Sequence, residues 1–478
     1  MRTAHFPAAL TAALTAALTA ALGLAACTVG PRYTVPKTAL VQAPAANGAF
    51  FGAANPAFDR AAPPDDWWRL YQDPRLDALI GQAFAANTNL RVAEANLERS
   101  QALLQEVRAA RQPSAVLGGT IGYQQLSGES YLLPVQVPAN GLYDAGISVA
   151  YDADLFGRLR RAVEAAKADD EAVEAARDLV KVNVAAETTR AYVEICDAGA
   201  ELAAARRSLA LQQQHLVLTR RLIKEGRGVD LDEARSTALV SQLAAAIPTL
   251  EARQRNAVYR VTTLIGRPPA EFDRTLEQCS TPPRVLEALP VGDGAALLKR
   301  RPDVRRAERS LAASTAEIGV ATADLYPDVI LGGSAGSTGL PSDMFKAATN
   351  RYGLGPGIAW QLNQSAARAR IAAAKAETKA DLARFDGVVL GALRETESAL
   401  NVYAHDFERE ADLREADRQA WRAAADAHRL QAQGRATALT VLDADRTAAA
   451  ADQALAAQTS QASLDQVGVF LALGGGWR

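Results

Sequence analysis

Residues 158–225 and 365–433 run without a proline, and the first of these two segments contains a single glycine, Gly199. Both are rich in Ala, Leu, Arg, Glu and Gln, which have the highest helix propensities. Each segment therefore predicts one helix of roughly 67 residues, about 100 Å long at 1.5 Å per residue. A helix that long exceeds a globular domain, so the sequence predicts long helices packed side by side.

Glycines mark the ends of both long helices, and a second helix is predicted after each of them. Gly226 and Gly434 are the expected reversal points, and the return helices are predicted over residues 230–265 and 437–473. Alanine is abundant throughout these segments and lets helices approach closely, as in the walls of coiled coils. The pattern thus predicts two long helical hairpins in one chain.

The two hairpins belong to an internal duplication. An offset of 214 places residues 89–94 on residues 303–308 and Pro113 on Pro327, and an offset of 208 places Gly226 on Gly434. A period of this size indicates a duplicated unit and not a solenoid repeat. We therefore divide the chain into a first repeat (68–275), a linker (276–293) and a second repeat with a C-terminal tail (294–478).

Each repeat also predicts a leading helix and two short strands. The leading helices are expected over residues 76–111 and 294–326, each ending before a proline that cannot continue it. Glycine-bearing extended segments follow, and strands are expected over residues 116–123, 146–152, 329–335 and 353–361. In residues 146–152, apolar side chains alternate with small or polar ones. Membrane-spanning β-structure must be closed, and about eight strands is the practical minimum. Four strands per chain therefore require oligomerisation if they meet lipid.

The N-terminus predicts export and lipid attachment. Residues 1–26 have one arginine followed by an uncharged stretch, and Leu24-Ala25-Ala26-Cys27 resembles the lipobox of bacterial lipoproteins. Cys27 would then carry a covalent lipid (palmitate among its acyl chains) and begin the mature chain with an extended segment, residues 27–67. The alternative is an uncleaved apolar anchor with an incidental cysteine. Beyond Cys27 no uncharged apolar run approaches about 20 residues, so no later transmembrane helix is predicted.

Several function classes find no support in the sequence. With 52 basic and 54 acidic residues the chain lacks the basic excess of a nucleic-acid surface. The segment 332–336 matches Gly-x-Ser-x-Gly, but Ser334 lies in a predicted strand, and a hydrolase would need a strand–turn–helix context and a histidine partner. The mature chain has His215, His405 and His428, all on predicted helices and scattered in sequence. No catalytic residue, metal site or cofactor is therefore expected.

Cys196 and Cys279 are the other two cysteines. An oxidising periplasm would allow them to form a disulfide. Two free buried thiols are the alternative, and the sequence leaves both open.

The order of elements resembles the outer-membrane efflux factors, the TolC and OprM-like family that includes NodT-type lipoproteins. The local resemblance lies in residues 27–33, 151–161, 300–308 and 318–327, and in Val441-Leu-Asp-Ala444. It implies a mainly α fold with a small β part, in which a homotrimer forms a 12-stranded transmembrane β-barrel and a long α-helical coiled-coil barrel. The linker 276–293 would be equatorial on the helical barrel.

The resemblance also implies functional residues and partners. Asp443 and Thr440 would lie at a periplasmic aperture, where three carboxylates converge as in other acidic pore rings. The hairpin tips would contact a periplasmic membrane-fusion adaptor of an inner-membrane efflux transporter, while the barrel contacts outer-membrane lipid. The tip candidates are Gly226, Arg227, Asp230, Asp232, Gly434, Arg435 and Leu439. Apart from the conduit, two alternatives remain: a non-conducting, periplasm-spanning structural lipoprotein and a secreted hydrolase using Ser334.

Overall fold

The computed structural model describes residues 28–125, 127–129, 132 and 134–475. The predicted signal peptide and Cys27 lie outside the described residues. Within the described part, no helix combines the length and the apolar character needed to cross a membrane.

The element order follows the duplication. The first half contains α1 (Pro74–Ala86), α2 (Thr88–Ala109), β1 (Ser114–Gln124), β2 (Asn140–Asp152), α3 (Arg158–Lys224) and α4 (Asp230–Leu264). The second half contains α5 (Gly294–Arg300), α6 (Pro302–Ala323), β3 (Asp328–Gly339), β4 (Asn350–Ala359), α7 (Ser365–Ala432) and α8 (Ala438–Ala472). A short helix (Pro44–Asn47) and a two-residue parallel pairing of Phe58–Asp59 with Leu289–Pro290 complete the regular structure, apart from 3-10 turns.

The long helices α3 and α7 have 67 and 68 residues and end within two residues of the predicted positions. The prediction of one unbroken leading helix in each repeat is wrong. Asn87 has extended backbone and its Oδ1 accepts the amide hydrogens of Asn89 (3.0 Å) and Leu90 (3.2 Å), so it ends α1 and caps α2. Arg301 is likewise extended and Pro302 begins α6, because a proline suits the first turn of a helix.

The four strands form one antiparallel sheet in the order β1-β2-β3-β4. Its register places Leu117 opposite Ile147, Ile147 opposite Ala335, and Ala335 opposite Tyr352. The strands are longer than predicted: β2 begins six residues before the predicted Gly146 and β3 continues four beyond Ala335. Ser334 lies inside β3, in the strand where it was predicted.

The chain divides into two compact units. The sheet unit comprises the described part of residues 1–36, residues 97–173 and residues 307–385. The hairpin unit comprises residues 37–96, 174–306 and the described part of 386–478.

The core of the hairpin unit is built from segments that are distant in sequence. Trp67 is 1% exposed and stacks on Phe470 with ring centroids 4.8 Å apart. Residues of the linker, Leu289 among them, are buried in the same cluster as Ile195 of α3. A disulfide joins Cys196 to Cys279, with Cα atoms 4.7 Å apart. The linker therefore packs against α3 and closes part of this core.

In the sheet unit, residues 151–161 form a tight connection from β2 into α3. Asp154 adopts a φ of +45° and its two carboxylate oxygens accept the amide hydrogens of Leu159 (2.8 Å) and Arg160 (2.9 Å). The Arg161 guanidinium donates to the carbonyls of Val29 (3.1 Å) and Gly30 (3.0 Å). This stretch therefore caps the long helix and fixes the chain that follows Cys27 against it.

Candidate functional site: hairpin turns and an exposed apolar sheet face

The two hairpin turns have the same backbone geometry. Gly226 and Gly434 have φ values of +71° and +69°, a region that favours glycine. After α3, the amide of Arg227 donates to the Leu222 carbonyl (2.8 Å) and the amide of Gly226 donates to the Ile223 carbonyl (2.9 Å). The corresponding bonds after α7 join Arg435 to Leu430 (2.8 Å) and Gly434 to Gln431 (2.9 Å). Both are Schellman caps, which satisfy the last carbonyls of a helix and reverse the chain.

The predicted aperture residues lie in the first turns of α8. Thr440 is exposed and its amide donates to the Thr437 hydroxyl (3.2 Å), which caps this helix. The Asp443 side chain is exposed, and within the described residues nothing binds its carboxylate. Its backbone carbonyl accepts the Thr447 hydroxyl over 2.9 Å. The Asp443 charge is therefore free to face solvent or further copies of the chain.

The predicted tip residues lie around these turns and are mostly accessible. Arg227 and Arg435 are exposed, whereas Asp232 is partly buried in the first turn of α4. Leu439 is 50% exposed, and Val229 and Leu231, which had not been singled out from the sequence, are 58% and 55% exposed. The turns thus present apolar and charged side chains together, as surfaces that dock another protein do.

The sheet has two chemically different faces. Residues paired directly across strands share a face, so the register places Leu117, Ile147, Ala335 and Tyr352 in one row. This apolar face also carries Ile121, Tyr123, Val149, Tyr151, Leu331, Leu354 and Ile358. The opposite face is mostly small or polar and carries Gly118, Thr120, Asp144, Ser148, Ser334, Thr338 and Arg351.

The apolar face is exposed in a single copy of the chain. Leu117 is 83% exposed, and Tyr352 and Leu354 are each 92% exposed. In the described structure β1 and β4 each pair on one side only, which leaves the outer edge of both strands open. A contiguous exposed apolar surface marks a contact with protein or membrane, and open strand edges are templates for further pairing.

Two of the three histidines beyond Cys27, although scattered in sequence, meet in the hairpin unit, so the expectation that they cannot form a cluster is wrong. His428 Nε2 lies 2.9 Å from Asp445 Oδ1, and His215 Nδ1 lies 3.4 Å from Asp445 Oδ2. The two rings pack edge to face with centroids 4.4 Å apart. Burial lowers the pKa of His215; Asp445 opposes this by raising it, and His428 lowers it further. His405 lies elsewhere, with an exposed side chain 3.5 Å from Glu408.

Sequence reasoning also missed the role of Arg301, which follows the first arginine of the motif 300–308. Its guanidinium donates to the Ala472 carbonyl at the end of α8 (2.8 Å), and it forms ion pairs with Asp303 (2.6 Å) and Glu395 (2.9 Å). Its pKa is raised, because these two carboxylates outweigh the effect of burial. Arg301 thus links the C-terminus of α8 to the first turn of α6. The signal available in the sequence was Pro302, which marks that start.

The family model and the similar proteins of known sequence agree on one family. The model of the family "outer membrane efflux protein" matches residues 79–267 and 295–475. The chain is 28% identical over 469 residues to the probable efflux pump outer membrane protein TtgC of Pseudomonas putida, covering 95% of this chain and 93% of that protein. It is 30% identical over 438 residues to the pyoverdine export outer membrane protein OpmQ of the same species, covering 88% and 90%.

Solved structures agree with this result. The outer-membrane channel OprN is 35% identical with a TM-score of 0.87, and the match covers 94% of this chain and all of that one. The open-state MtrE outer membrane channel of Neisseria gonorrhoeae is 25% identical with a TM-score of 0.81, covering 95% and 99%. The similarity confirms the predicted mainly α fold with a small β part and an outer-membrane location. The chain belongs to the outer membrane efflux protein family.

Proposed function

We propose that this protein is the outer-membrane channel of a tripartite efflux system and that it conducts drugs or other small solutes passively to the exterior. The observation that carries the proposal is the sheet: four strands with one exposed apolar face and two open edges. Four strands cannot close a barrel, whereas three copies would supply 12. Closure would satisfy the open edges, and the apolar face would then meet lipid.

In the proposed homotrimer, the helical hairpins would form the periplasmic part of the conduit. The long helices of three copies would form a coiled-coil tunnel in the periplasm, and their turns would meet around its axis. Asp443 is then the residue we assign to the aperture, with Thr440 one helical turn before it. Three carboxylates on a threefold axis repel one another and attract cations. No catalytic step is part of this proposal, because an inner-membrane transporter would supply the energy.

The turns are also the surface that we assign to a periplasmic adaptor. Leu439 and Arg435 at one turn and Arg227 at the other offer apolar and basic contacts. A charge introduced by Leu439→Asp should weaken capture of the trimer by its adaptor while leaving the trimer intact. Covalent lipid on Cys27 would anchor the other end of the mature chain in the outer membrane.

The test is conductance in planar bilayers with protein purified from outer membranes. We compare wild type, Asp443→Asn and, as a control, Glu106→Gln, which removes an exposed carboxylate from α2 of the sheet unit. We expect small, cation-preferring steps in wild type and in the control. The Asp443→Asn trimer should show a changed conductance and a weaker cation preference.

Other outcomes separate the alternatives. If Asp443→Asn matches wild type, the duct is retained but its constriction lies elsewhere in the turns. If a verified, folded trimer never conducts, in any form and with adaptor added, the conduit is refuted. A non-conducting lipoprotein that bridges the envelope layers would then be favoured.

A further inference from the structure

The hairpin unit contains a cluster of three metal-ligating side chains that the proposed conduit does not use. His215 comes from α3, His428 from α7 and Asp445 from α8. Each offers one donor atom, and these donor atoms all lie within 4.8 Å of one another. The side chains are 23%, 36% and 15% exposed, so the cluster is partly shielded from water yet open to a small ion.

The spacing of the donors suits one small cation. A tetrahedral ion with ligand distances of about 2.0–2.1 Å has ligand–ligand edges of roughly 3.3 Å. The two histidine–carboxylate distances, 2.9 Å from His428 to Asp445 Oδ1 and 3.4 Å from His215 to Asp445 Oδ2, bracket that edge length. Binding would draw together donor atoms that are now separated by no more than 4.8 Å, with the ion replacing the present contacts between Asp445 and the imidazoles.

Two further observations point to a ligand. Asp445 Oδ2 is buried and lies 3.4 Å from His215 Nδ1, yet it accepts no hydrogen bond within the described residues, although a buried carboxylate oxygen normally accepts one. A cavity of about 50 Å³ lies beside the cluster, lined by His215, Thr219, Ser236 and Val441 among others. That space would admit a water molecule as the remaining ligand, which polar neighbours such as Ser236 could hold.

We infer that His215, His428 and Asp445 form a binding site for one divalent transition-metal ion per chain, with Zn²⁺ the best match. Two imidazoles and one carboxylate are donors that suit Zn²⁺ and its first-row neighbours, whereas Mg²⁺ and Ca²⁺ prefer oxygen ligands alone. A histidine binds a metal ion through a neutral imidazole nitrogen.

The position of the ligands gives the site a consequence. His215 belongs to the hairpin α3–α4, whereas His428 and Asp445 belong to the hairpin α7–α8. A bound ion would therefore cross-link the two hairpins of one chain, within about 11 residues of their turns. If the proposed conduit is correct, occupancy would hinder any separation of the hairpins that widens the aperture. This last step rests on the proposed function, whereas the binding site itself does not.

The binding test uses full-length protein purified in detergent without a polyhistidine tag. Zn²⁺ affinity is measured by competition with a chromophoric chelator, and Co²⁺ is used as a spectroscopic probe of tetrahedral coordination. The variants are His428→Ala and Asp445→Asn, with His405→Ala as the control because it removes an exposed histidine outside the cluster. Circular dichroism and size-exclusion chromatography establish that each variant is a folded trimer, and His428→Gln replaces any variant that is not.

We expect one Zn²⁺ per chain and an intense visible Co²⁺ spectrum in wild type and in His405→Ala. Loss of a direct ligand should weaken affinity by at least about 100-fold, since even outer-sphere partners contribute 10–100-fold. Equal affinity in wild type and in folded His428→Ala and Asp445→Asn would overturn the site, as would the absence of binding to wild type. The three residues would then be a group held by the His428–Asp445 hydrogen bond, with His215 in contact with Asp445.

A conductance measurement with Zn²⁺ tests the cross-link separately. Micromolar Zn²⁺ should reduce conductance of wild type and leave His428→Ala unchanged. Binding without any effect on a conducting channel would retain the site and refute the cross-link as a restraint on the aperture. Binding to a trimer that never conducts would retain the site and refute the proposed conduit.

Discussion

The backbone carbonyl of Cys279 occupies the space that a side chain at Gly199 would fill. A Cβ built on Gly199 would overlap that oxygen and would also approach the Gln254 side-chain nitrogen at 2.9 Å. Gln254 of α4 donates to the carbonyl of Glu277 (3.0 Å) in the linker and to the carbonyl of Ile195 (3.2 Å) in α3, which holds the linker against the long helix. The only glycine within the long helix α3 is therefore explained by the close approach of the linker, and not by a bend in the helix.

We expect Gly199→Ala to destabilise the protein although alanine is the better helix former. Glycine costs a helix up to about 1 kcal/mol relative to alanine, whereas overpacking of a tight site costs typically about 1–3 kcal/mol. The apparent Tm of the purified protein should therefore fall. The control is Gly81→Ala in α1, where an added Cβ meets nothing within 4 Å and the Tm should rise or stay constant. A Tm increase in Gly199→Ala would contradict the packing argument.

The disulfide beside this contact should contribute substantially to stability. It joins positions separated by 83 residues, and a cross-link over such a loop removes denatured-state entropy worth about 4–5 kcal/mol. Reduction should lower the Tm, and so should Cys279→Ser. The double variant Cys196→Ser/Cys279→Ser should show no response to reductant. Mass spectrometry of the alkylated protein, with and without reductant, would reveal free thiols in wild type if the pair does not form in the cell envelope.

Asp197, next to this disulfide, should make stability depend on pH. Burial, reinforced by Glu201 and Glu194, raises its pKa to about 8, against the opposing effect of Arg253 and Arg284. An unfolded aspartate has a pKa of about 3.9. Between these values the native state holds a proton that the unfolded state has lost, so stability falls as the pH rises through this window and levels off above it.

The variant Asp197→Asn removes this titration. It should match wild type near pH 4 and exceed it in Tm by a growing margin up to about pH 8. Because other groups titrate in the same range, the quantity to follow is the Tm difference between variant and wild type at each pH. Asp230→Asn, an exposed change in the same unit, controls for net charge. A difference that is independent of pH would mean that Asp197 is ionised in the folded protein.

The long helices, the return helices and the turns could be predicted from the sequence because their determinants are local. Gly226 and Gly434 end helices through backbone conformation alone, and the absence of proline sets the helix lengths. The break at Asn87 was missed because it depends on one side chain that caps α2 with its own amide oxygen. The second break, at Pro302, could have been predicted from the sequence, because a proline suits the first turn of a new helix.

The metal-ligating cluster was missed because distance along the chain was taken for distance in space. His428 lies 6 residues before Gly434 and Asp445 lies 11 residues after it, on facing helices of one antiparallel hairpin, which brings them to a similar level. That relation was available from the sequence once the turn at Gly434 was assigned. The approach of His215 was not, since it depends on how one hairpin packs against the other. The close approach of the Cys279 carbonyl to Gly199 could not be predicted from the sequence either, because Cys279 belongs to a loop 80 residues away.

The two faces of the sheet provide a last prediction, which tests where the strands lie. Ile121 and Thr120 are neighbours in β1 and point to opposite faces, and Ile121 is 74% exposed in a single chain. If the apolar face meets lipid, Ile121→Arg should impair assembly, since an arginine on the lipid face costs up to about 2–4 kcal/mol at mid-depth. Thr120→Arg would point into the lumen and should be tolerated.

The measurement is the amount of heat-resistant trimer in isolated outer membranes, for each variant beside wild type. We expect a clear loss for Ile121→Arg and near wild-type levels for Thr120→Arg, whose conductance should shift because lumen charges alter selectivity. Equal assembly of both variants would mean that the apolar face is covered by protein instead of lipid. Failure of Thr120→Arg alone would reverse the assignment of the two faces, and the polar row through Ser148 and Ser334 would then have to face outward, which lipid does not tolerate.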